Sequence, residues 1–259
     1  MKFSKPRVIA ITNQKGGAAK TTTSVNLSAA IAMKNRRVLI IDLDPQANAT
    51  IGLGLSATDL DSSIYHVLIN PDLPLRDIIK QTMIENLFIA PATIHLSGAE
   101  VELVNTIGRE IVLREKLSQV LNDFDYVLLD CPPSLGLLTL NALTTAKEII
   151  IPVQTHFYAL EGMSQLMNTI ELVRRRLNHK LIITGILPTI YQAGTKLSDK
   201  VLQELKKFFG KQVFDTTIRM NIKLAEAPSH GLPIILYDPE SNGADDYNSL
   251  ASEVLSDEI

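Results

Sequence analysis

Short apolar runs alternate with longer amphipathic stretches along the whole chain. Val8–Thr12, Val38–Asp42, Leu87–Pro91, Tyr126–Asp130, Glu148–Val153 and Leu181–Pro188 are mostly continuous in apolar residues. Such runs belong to strands covered on both faces, as in a parallel sheet. Between them the spacing predicts helices over Thr22–Asn35, Ala99–Asn122, Leu160–Asn178, Lys196–Phe209 and Ala244–Leu255. Strands alternating with helices imply right-handed crossovers. The expectation is an α/β fold: one doubly wound, mostly parallel sheet between two helical layers. Ligands of such sheets bind beyond the carboxyl ends of the strands, which places the chemistry just after Thr12, Asp42 and Asp130.

Composition narrows the choices. The 259 residues carry no internal repeat, low-complexity segment or linker, and residues 1–259 are read as a single domain. Hydrophobic residues are 46% and charged residues 20%, ordinary for a soluble globular protein. No apolar run approaches the roughly 18 residues of a membrane span. Met1–Arg7 is charged but runs into only a short apolar segment, Val8–Thr12, which reads as a first strand rather than a signal peptide. The lone Cys131 excludes an intramolecular disulfide or a cysteine-based metal site within one chain, and fits a reduced cytoplasmic setting. A net charge of -3 means that any DNA binding must come from a local basic patch. With no Trp and 5% aromatics, a stacking platform for single strands is not expected.

The first strand runs into Asn13-Gln14-Lys15-Gly16-Gly17-Ala18-Ala19-Lys20-Thr21-Thr22-Thr23 and then a helix. Glycines let backbone N–H groups turn toward phosphate oxygens, and the helix presents its positive end. Gly16, Gly17, Ala18, Ala19, Lys20, Thr21 and Thr22 are therefore candidate ATP-binding residues. Lys20 is placed to reach the terminal phosphates, and the Thr21 hydroxyl to bind Mg²⁺. The common pattern G-x-x-x-x-G-K-[ST] is not met, since Gln14 and Ala19 stand at its glycine positions. If Ala19 has φ > 0 it costs on the order of 1 kcal/mol. If φ is negative it fits, and its methyl crowds the γ-phosphate or a partner chain.

Two further strands end in carboxylates. Asp42-Leu43-Asp44-Pro45-Gln46-Ala47-Asn48 closes the second, with Asp42 and Asp44 at i and i+2. Taken alone, this pair reads as solvated loop acids or a helix cap. Tyr126-Val127-Leu128-Leu129-Asp130 is a Walker-B arrangement, which assigns Mg²⁺ to Asp130. Cys131 has no neighbouring base and reads as a small packed residue rather than a nucleophile.

Lys15-Gly16-Gly17-Ala18-Ala19-Lys20-Thr21 resembles the deviant loop K-G-G-x-G-K-T of the ParA/MinD group of P-loop NTPases. Asp42–Asn48 is similar to that family's D-x-D-P-Q-x-N. Asn141-Ala142-Leu143, Tyr158–Gly162, Glu226–Gly231 and Pro233–Pro239 resemble ParA/Soj segments in the expected order. The resemblance covers nearly the whole chain. It implies a DNA-partitioning ATPase that uses ATP/ADP and Mg²⁺ and forms an ATP-dependent homodimer. In that reading Lys15 crosses the dimer interface to the partner's phosphates, as an arginine finger does. Asp44 orients the attacking water, Asp42 supports the Mg²⁺ shell, and Met220 and Asn221 cup the adenine.

The resemblance further implies a ParB-like partner that stimulates hydrolysis, nucleoid association, and binding of the dimer to non-specific double-stranded DNA. Gly194 and Met220 stand where relatives carry DNA-binding arginines, and Lys196, Lys200, Arg219 and Lys223 are the candidate substitutes, with Lys206 and Lys207 nearby. Arg174-Arg175-Arg176 reads as a solvated helix face, and His230 as a loop residue that orders the turn before Gly231. No helix-turn-helix segment precedes the phosphate loop.

Four other readings stand beside this one. A MinD-like membrane binder needs a basic amphipathic end, whereas Ser252–Ile259 is acidic. A nitrogenase-iron-protein type needs two cysteines. A relative that positions another cargo, and an ATP-binding module that Ala19 has slowed or stopped, stay open.

Overall fold

In the computed structural model, described for residues 6–156 and 163–256, each strand sends alternate side chains to opposite faces. Val8, Ala10, Leu39, Ile41, Val127 and Leu129 pack into one core; Ile9, Ile11, Val38, Ile40 and Leu128 pack into the other. Helices cover both faces, which explains why the strand segments are apolar throughout. Burying one such large side chain stabilises by about 1.5–3 kcal/mol.

The strands are β1 (Arg7–Ile11), β2 (Val38–Asp42), β3 (Lys80–Gln81), β4 (Leu87–Ala90), β5 (Tyr126–Asp130), β6 (Glu148–Gln154) and β7 (Ile182–Thr189). Their order in the sheet is β3-β4-β2-β5-β1-β6-β7. All pairings are parallel except β3 with β4. The fold is the expected single-sheet α/β architecture of the P-loop NTPases. The six expected strands are present with ends shifted by at most one residue, and β3 is an addition.

The helices are α1 (Lys20–Ala32), α2 (Asn48–Gly52), α3 (Ile64–Ile69), α4 (Leu96–Glu102), α5 (Val112–Ser118), α6 (Leu137–Thr145), α7 (Met163–Arg176), α8 (Lys196–Phe209), α9 (Lys223–Glu226), α10 (Ile234–Tyr237) and α11 (Asn242–Ser256). The helix expected over Ala99–Asn122 is two helices. Leu103, Leu113 and Leu117 keep the apolar spacing and are buried. Between them a 3₁₀ turn covers Leu103–Asn105, and Gly108 at φ 74° turns the chain out of helical geometry. The segment Tyr158–Gly162 lies outside the described residues.

Register carries the site. Ile11 and Asp42 both stand opposite Asp130, so the loops after β1, β2 and β5 converge at one end of the sheet.

Candidate functional site

Neighbouring strands fix the phosphate loop. Asn13 Nδ2 donates to Pro152 O at 2.6 Å, while its Oδ1 accepts from Lys15 N at 3.0 Å. Gln154 Nε2 donates to Gly17 O, and Thr189 Oγ1 donates to Ala18 O at 3.2 Å. β6 and β7 thus anchor the carbonyls of Gly17 and Ala18. Gly17 has φ 70° and Ala19 has φ 65°. The positive-φ alternative for Ala19 is therefore the one adopted, at the N-cap of α1. No side chain caps that helix, so its first N–H groups are left for a ligand.

Lys20 is buried and its Nζ donates to Lys15 O at 3.3 Å. Burial lowers its pKa, opposed chiefly by the charge of Asp130 and then by Cys131 and Asp44. The folded-back ammonium occupies the middle of the loop, where a phosphate would draw it. Lys15 is half-buried and forms no ion pair with another described residue.

The three acids differ in environment. Asp42 is fully buried and bonded by the loop after β2 and by α2: Oδ1 accepts from Asp44 N at 3.1 Å, and Oδ2 from Thr50 N at 2.9 Å and Thr50 Oγ1 at 2.7 Å. Thr50 Oγ1 in turn accepts from Ala92 N at 2.9 Å, tying the loop after β4 to the acidic loop. Asp42 thus organises the segment that carries Asp44, whose own Oδ1 accepts from Gln46 N at 2.9 Å. Ala47, at φ 54°, ends the turn and starts α2.

Asp130 is fully buried; Ser24 Oγ donates to its Oδ1 at 2.8 Å, and Oδ2 accepts no hydrogen bond among the described residues. The Thr21 hydroxyl is near enough to favour the carboxylate without completing a bond to Oδ2. Burial raises the pKa of both Asp42 and Asp130, reinforced at Asp130 by Asp42 and Asp44 and at Asp42 by Asp44. A buried carboxylate oxygen without a donor, near a threonine hydroxyl, offers the oxygen ligands that a hard divalent cation takes from protein alongside water and phosphate. Mg²⁺ therefore fits Thr21 and Asp130. Cys131 is fully buried and its thiol pKa is pushed up by burial, which suits a packed residue rather than a nucleophile.

A cleft of about 610 Å³ opens beside the loop, lined by Gly17, Ala19, Thr22, Ile190, Met220 and Asn221 among others. Its size suits a drug-sized ligand. Asn221 Oδ1 accepts from Lys223 N at 2.8 Å, and Gln192 Nε2 approaches Met220 Sδ at 2.9 Å. Ile190 stands at φ 54°, unusual for a β-branched residue. Tyr191 N donates to Ile218 O at 3.0 Å and Met220 N to Tyr191 O at 2.9 Å, locking that bend into the cleft wall.

The four candidate DNA cations separate into two kinds. Lys196 and Lys200 are exposed on α8 and form no ion pair with another described residue. Arg219 is held by Asp246 through Nε at 2.9 Å and Nη2 at 2.6 Å to Oδ1. Lys223 pairs with Glu226 at 2.9 Å. Arg174 and Arg175 pair with Glu171 on their own helix, as a solvated face does. His230 stacks on Tyr237 with centroids 4.9 Å apart. The following Gly231, at φ 65°, lets two backbones meet: an added Cβ there would lie 2.7 Å from Gly54 Cα.

Comparisons with known proteins show the family. Residues 6–183 match the family described as AAA domain. The sporulation initiation inhibitor protein Soj of Bacillus subtilis is 54% identical over 250 residues, covering 96% of this chain and 98% of that protein. The chromosome partitioning protein ParA of Myxococcus xanthus is 47% identical, covering 96% and 88%. The chain belongs to the ParA/Soj family of partitioning ATPases. A solved structure titled as cobyrinic acid a,c-diamide synthase from Mycobacterium smegmatis, with bound ADP and magnesium, superposes with a TM-score of 0.85. It is 37% identical, and the match covers 96% of this chain and 94% of that one. Among the described residues of this ParA/Soj-family chain no helix is long and apolar enough to cross a membrane.

Sequence reasoning missed the residues that brace the site. Ser24 lies one turn beyond Lys20, on the face of α1 turned to the sheet, and helical spacing points to it. Thr50, Gln154 and Thr189 carry no sequence signal, because their roles depend on which loops meet.

Proposed function

We propose that this chain is one ATPase domain over residues 1–259 that hydrolyses ATP with Mg²⁺ and uses the nucleotide to switch between monomer and DNA-bound dimer. The observation that carries the reading is Asp130: buried, anchored at Oδ1 and unpartnered at Oδ2, at the strand end beside the phosphate loop. In this reading the N–H groups of Gly16–Thr22 and the Lys20 ammonium hold the phosphates, and Met220 and Asn221 flank the base. Thr21 and Asp130 hold Mg²⁺, which when bound neutralises phosphate charge and orients the terminal group. Asp42 steadies the acidic loop, and through it the cation's surroundings. Asp44, which keeps one oxygen unengaged by Gln46 N, orients the attacking water.

Lys15 reaches the phosphates bound by a second copy, which makes the dimer depend on ATP. Lys196 and Lys200, doubled by dimerisation, contact phosphates of double-stranded DNA without reading sequence. A ParB-like partner accelerates hydrolysis and so releases the dimer from DNA, giving a cytoplasmic, nucleoid-associated protein. The names of the partitioning relatives support the assignment.

A second reading rests on Ala19. An alanine held in the left-handed region puts a methyl at the mouth of the phosphate loop, which favours a form that binds ATP and cycles slowly. Light scattering with ATP tests both. Wild-type protein and Asp44→Ala should form dimers, Asp44→Ala should fail to return to monomer as time passes, and Lys15→Ala should stay monomeric. Dimers of Lys15→Ala equal to wild type would remove the in-trans role.

A further inference from the structure

Asp130 needs a fixed orientation to offer one oxygen to a cation, and the described residues supply one side-chain anchor. Ser24 is fully buried on α1, one turn past Lys20, and its Oγ lies 2.8 Å from Asp130 Oδ1 and 3.1 Å from Lys20 O. A hydroxyl has a single proton, so it serves one of these acceptors at a time. The carboxyl oxygen is nearer, and once Asp130 is ionised it is the stronger acceptor, as charged acceptors are. The alternative, back-bonding to the carbonyl four residues earlier, adds little to a helix.

We propose that Ser24 is a positioning residue for the divalent-cation site. It pins Oδ1 of Asp130 and so leaves Oδ2 as the oxygen available to the metal. This is distinct from the role of Thr21, whose hydroxyl is itself a ligand in the proposed site. The inference rests on the reading that Asp130 holds Mg²⁺. Three features make the link specific. Ser24 bonds the same carboxylate that has an orphaned oxygen. It does so from the helix that begins with Lys20 and Thr21, so phosphate loop and Walker-B strand are joined by one contact. Both groups are fully buried, so loss of the hydroxyl leaves Oδ1 without a side-chain donor among the described residues.

Outer contacts that orient a metal ligand typically change metal affinity about 10–100-fold when removed. A fluorescent N-methylanthraniloyl-ATP titration, run first in EDTA and then against increasing Mg²⁺, separates nucleotide affinity from the metal's contribution. Ser24→Ala should bind the probe as wild type does in EDTA and need at least about tenfold more Mg²⁺ for half of the metal-dependent gain. Asn26→Ala controls for loosening of α1. Asn26 donates to Thr22 O at 2.8 Å and accepts from Ile234 N at 2.7 Å. Its loss should lower the melting temperature and leave the Mg²⁺ midpoint in place. A Ser24→Ala midpoint within twofold of wild type, while Asp130→Ala abolishes the Mg²⁺ response, would overturn the role of Ser24 alone. An unchanged response in Asp130→Ala would overturn the metal assignment as well.

Discussion

Asp42 and Asp130 end neighbouring parallel strands directly opposite one another, and both carboxyls are fully buried. Two acids this close, away from water, resist ionising together. Asp42 answers with three hydrogen bonds, from Asp44 and from Thr50 on α2, and Asp130 with one from Ser24. Asp130 Oδ2 accepts no hydrogen bond among the described residues, and Lys20 supplies a neighbouring charge.

Metal-free stability should therefore fall as pH rises. Burial raises the pKa of both carboxyls, reinforced at Asp130 by the charges of Asp42 and Asp44 and at Asp42 by that of Asp44. The unfolded chain releases these protons near pH 4, whereas the folded state keeps them to higher pH. Over that interval the folded state binds more protons, so the slope of stability with pH is negative. Urea unfolding in EDTA at pH 5.5 and pH 8 should show the loss, and Asp130→Asn should flatten it. Stability that rises over this range, through these groups, would contradict the assignment. Mg²⁺ with ADP should restore stability most at the higher pH, where the carboxylate is ionised.

Ala19 at φ 65° carries a left-handed cost of roughly 1–2 kcal/mol. Glycine removes that cost and adds about 0.5–1 kcal/mol of unfolded-state entropy. Ala19→Gly should therefore gain about 0.5–1 kcal/mol, a rise in melting temperature of a few degrees. It should also raise the ATP turnover rate if the methyl obstructs the loop's mouth. A fall in melting temperature would mean that the methyl's packing outweighs the backbone strain.

The cations divide by their partners, and so should their variants. Arg219 grips the largely buried Asp246, so Arg219→Ala should cost about 1–3 kcal/mol of stability by leaving that acid short of donors. Lys196→Ala with Lys200→Ala should leave the melting temperature unchanged and weaken DNA binding. It should also flatten the dependence of log K on log salt by about 0.9 for each phosphate that the variant no longer neutralises. An Arg219 variant that melts normally and fails to bind DNA would reverse the two roles.

The strands were legible because each is buried on both faces, so that Val127 to Leu129 could only read as an interior run. The phosphate loop and Asp130 were legible because their spacing is bound to the chemistry. The break at Gly108 was hidden by Leu103, Leu113 and Leu117, which keep helical spacing across it. The engagement of Asp42 by Thr50 and of Arg219 by Asp246 was invisible for a different reason. Both contacts join segments that the chain brings together only after folding, 8 and 27 residues apart. The conformation of Ala19 was open between two signs of φ, and only backbone geometry decides it.

A low-salt mobility-shift assay on non-specific duplex DNA, with no nucleotide, ADP or ATP, tests the switch most directly. The account predicts a shift with ATP alone, independent of DNA sequence and abolished in Lys15→Ala. Equal binding in all three states, or none with ATP while the nucleotide demonstrably binds, would contradict it.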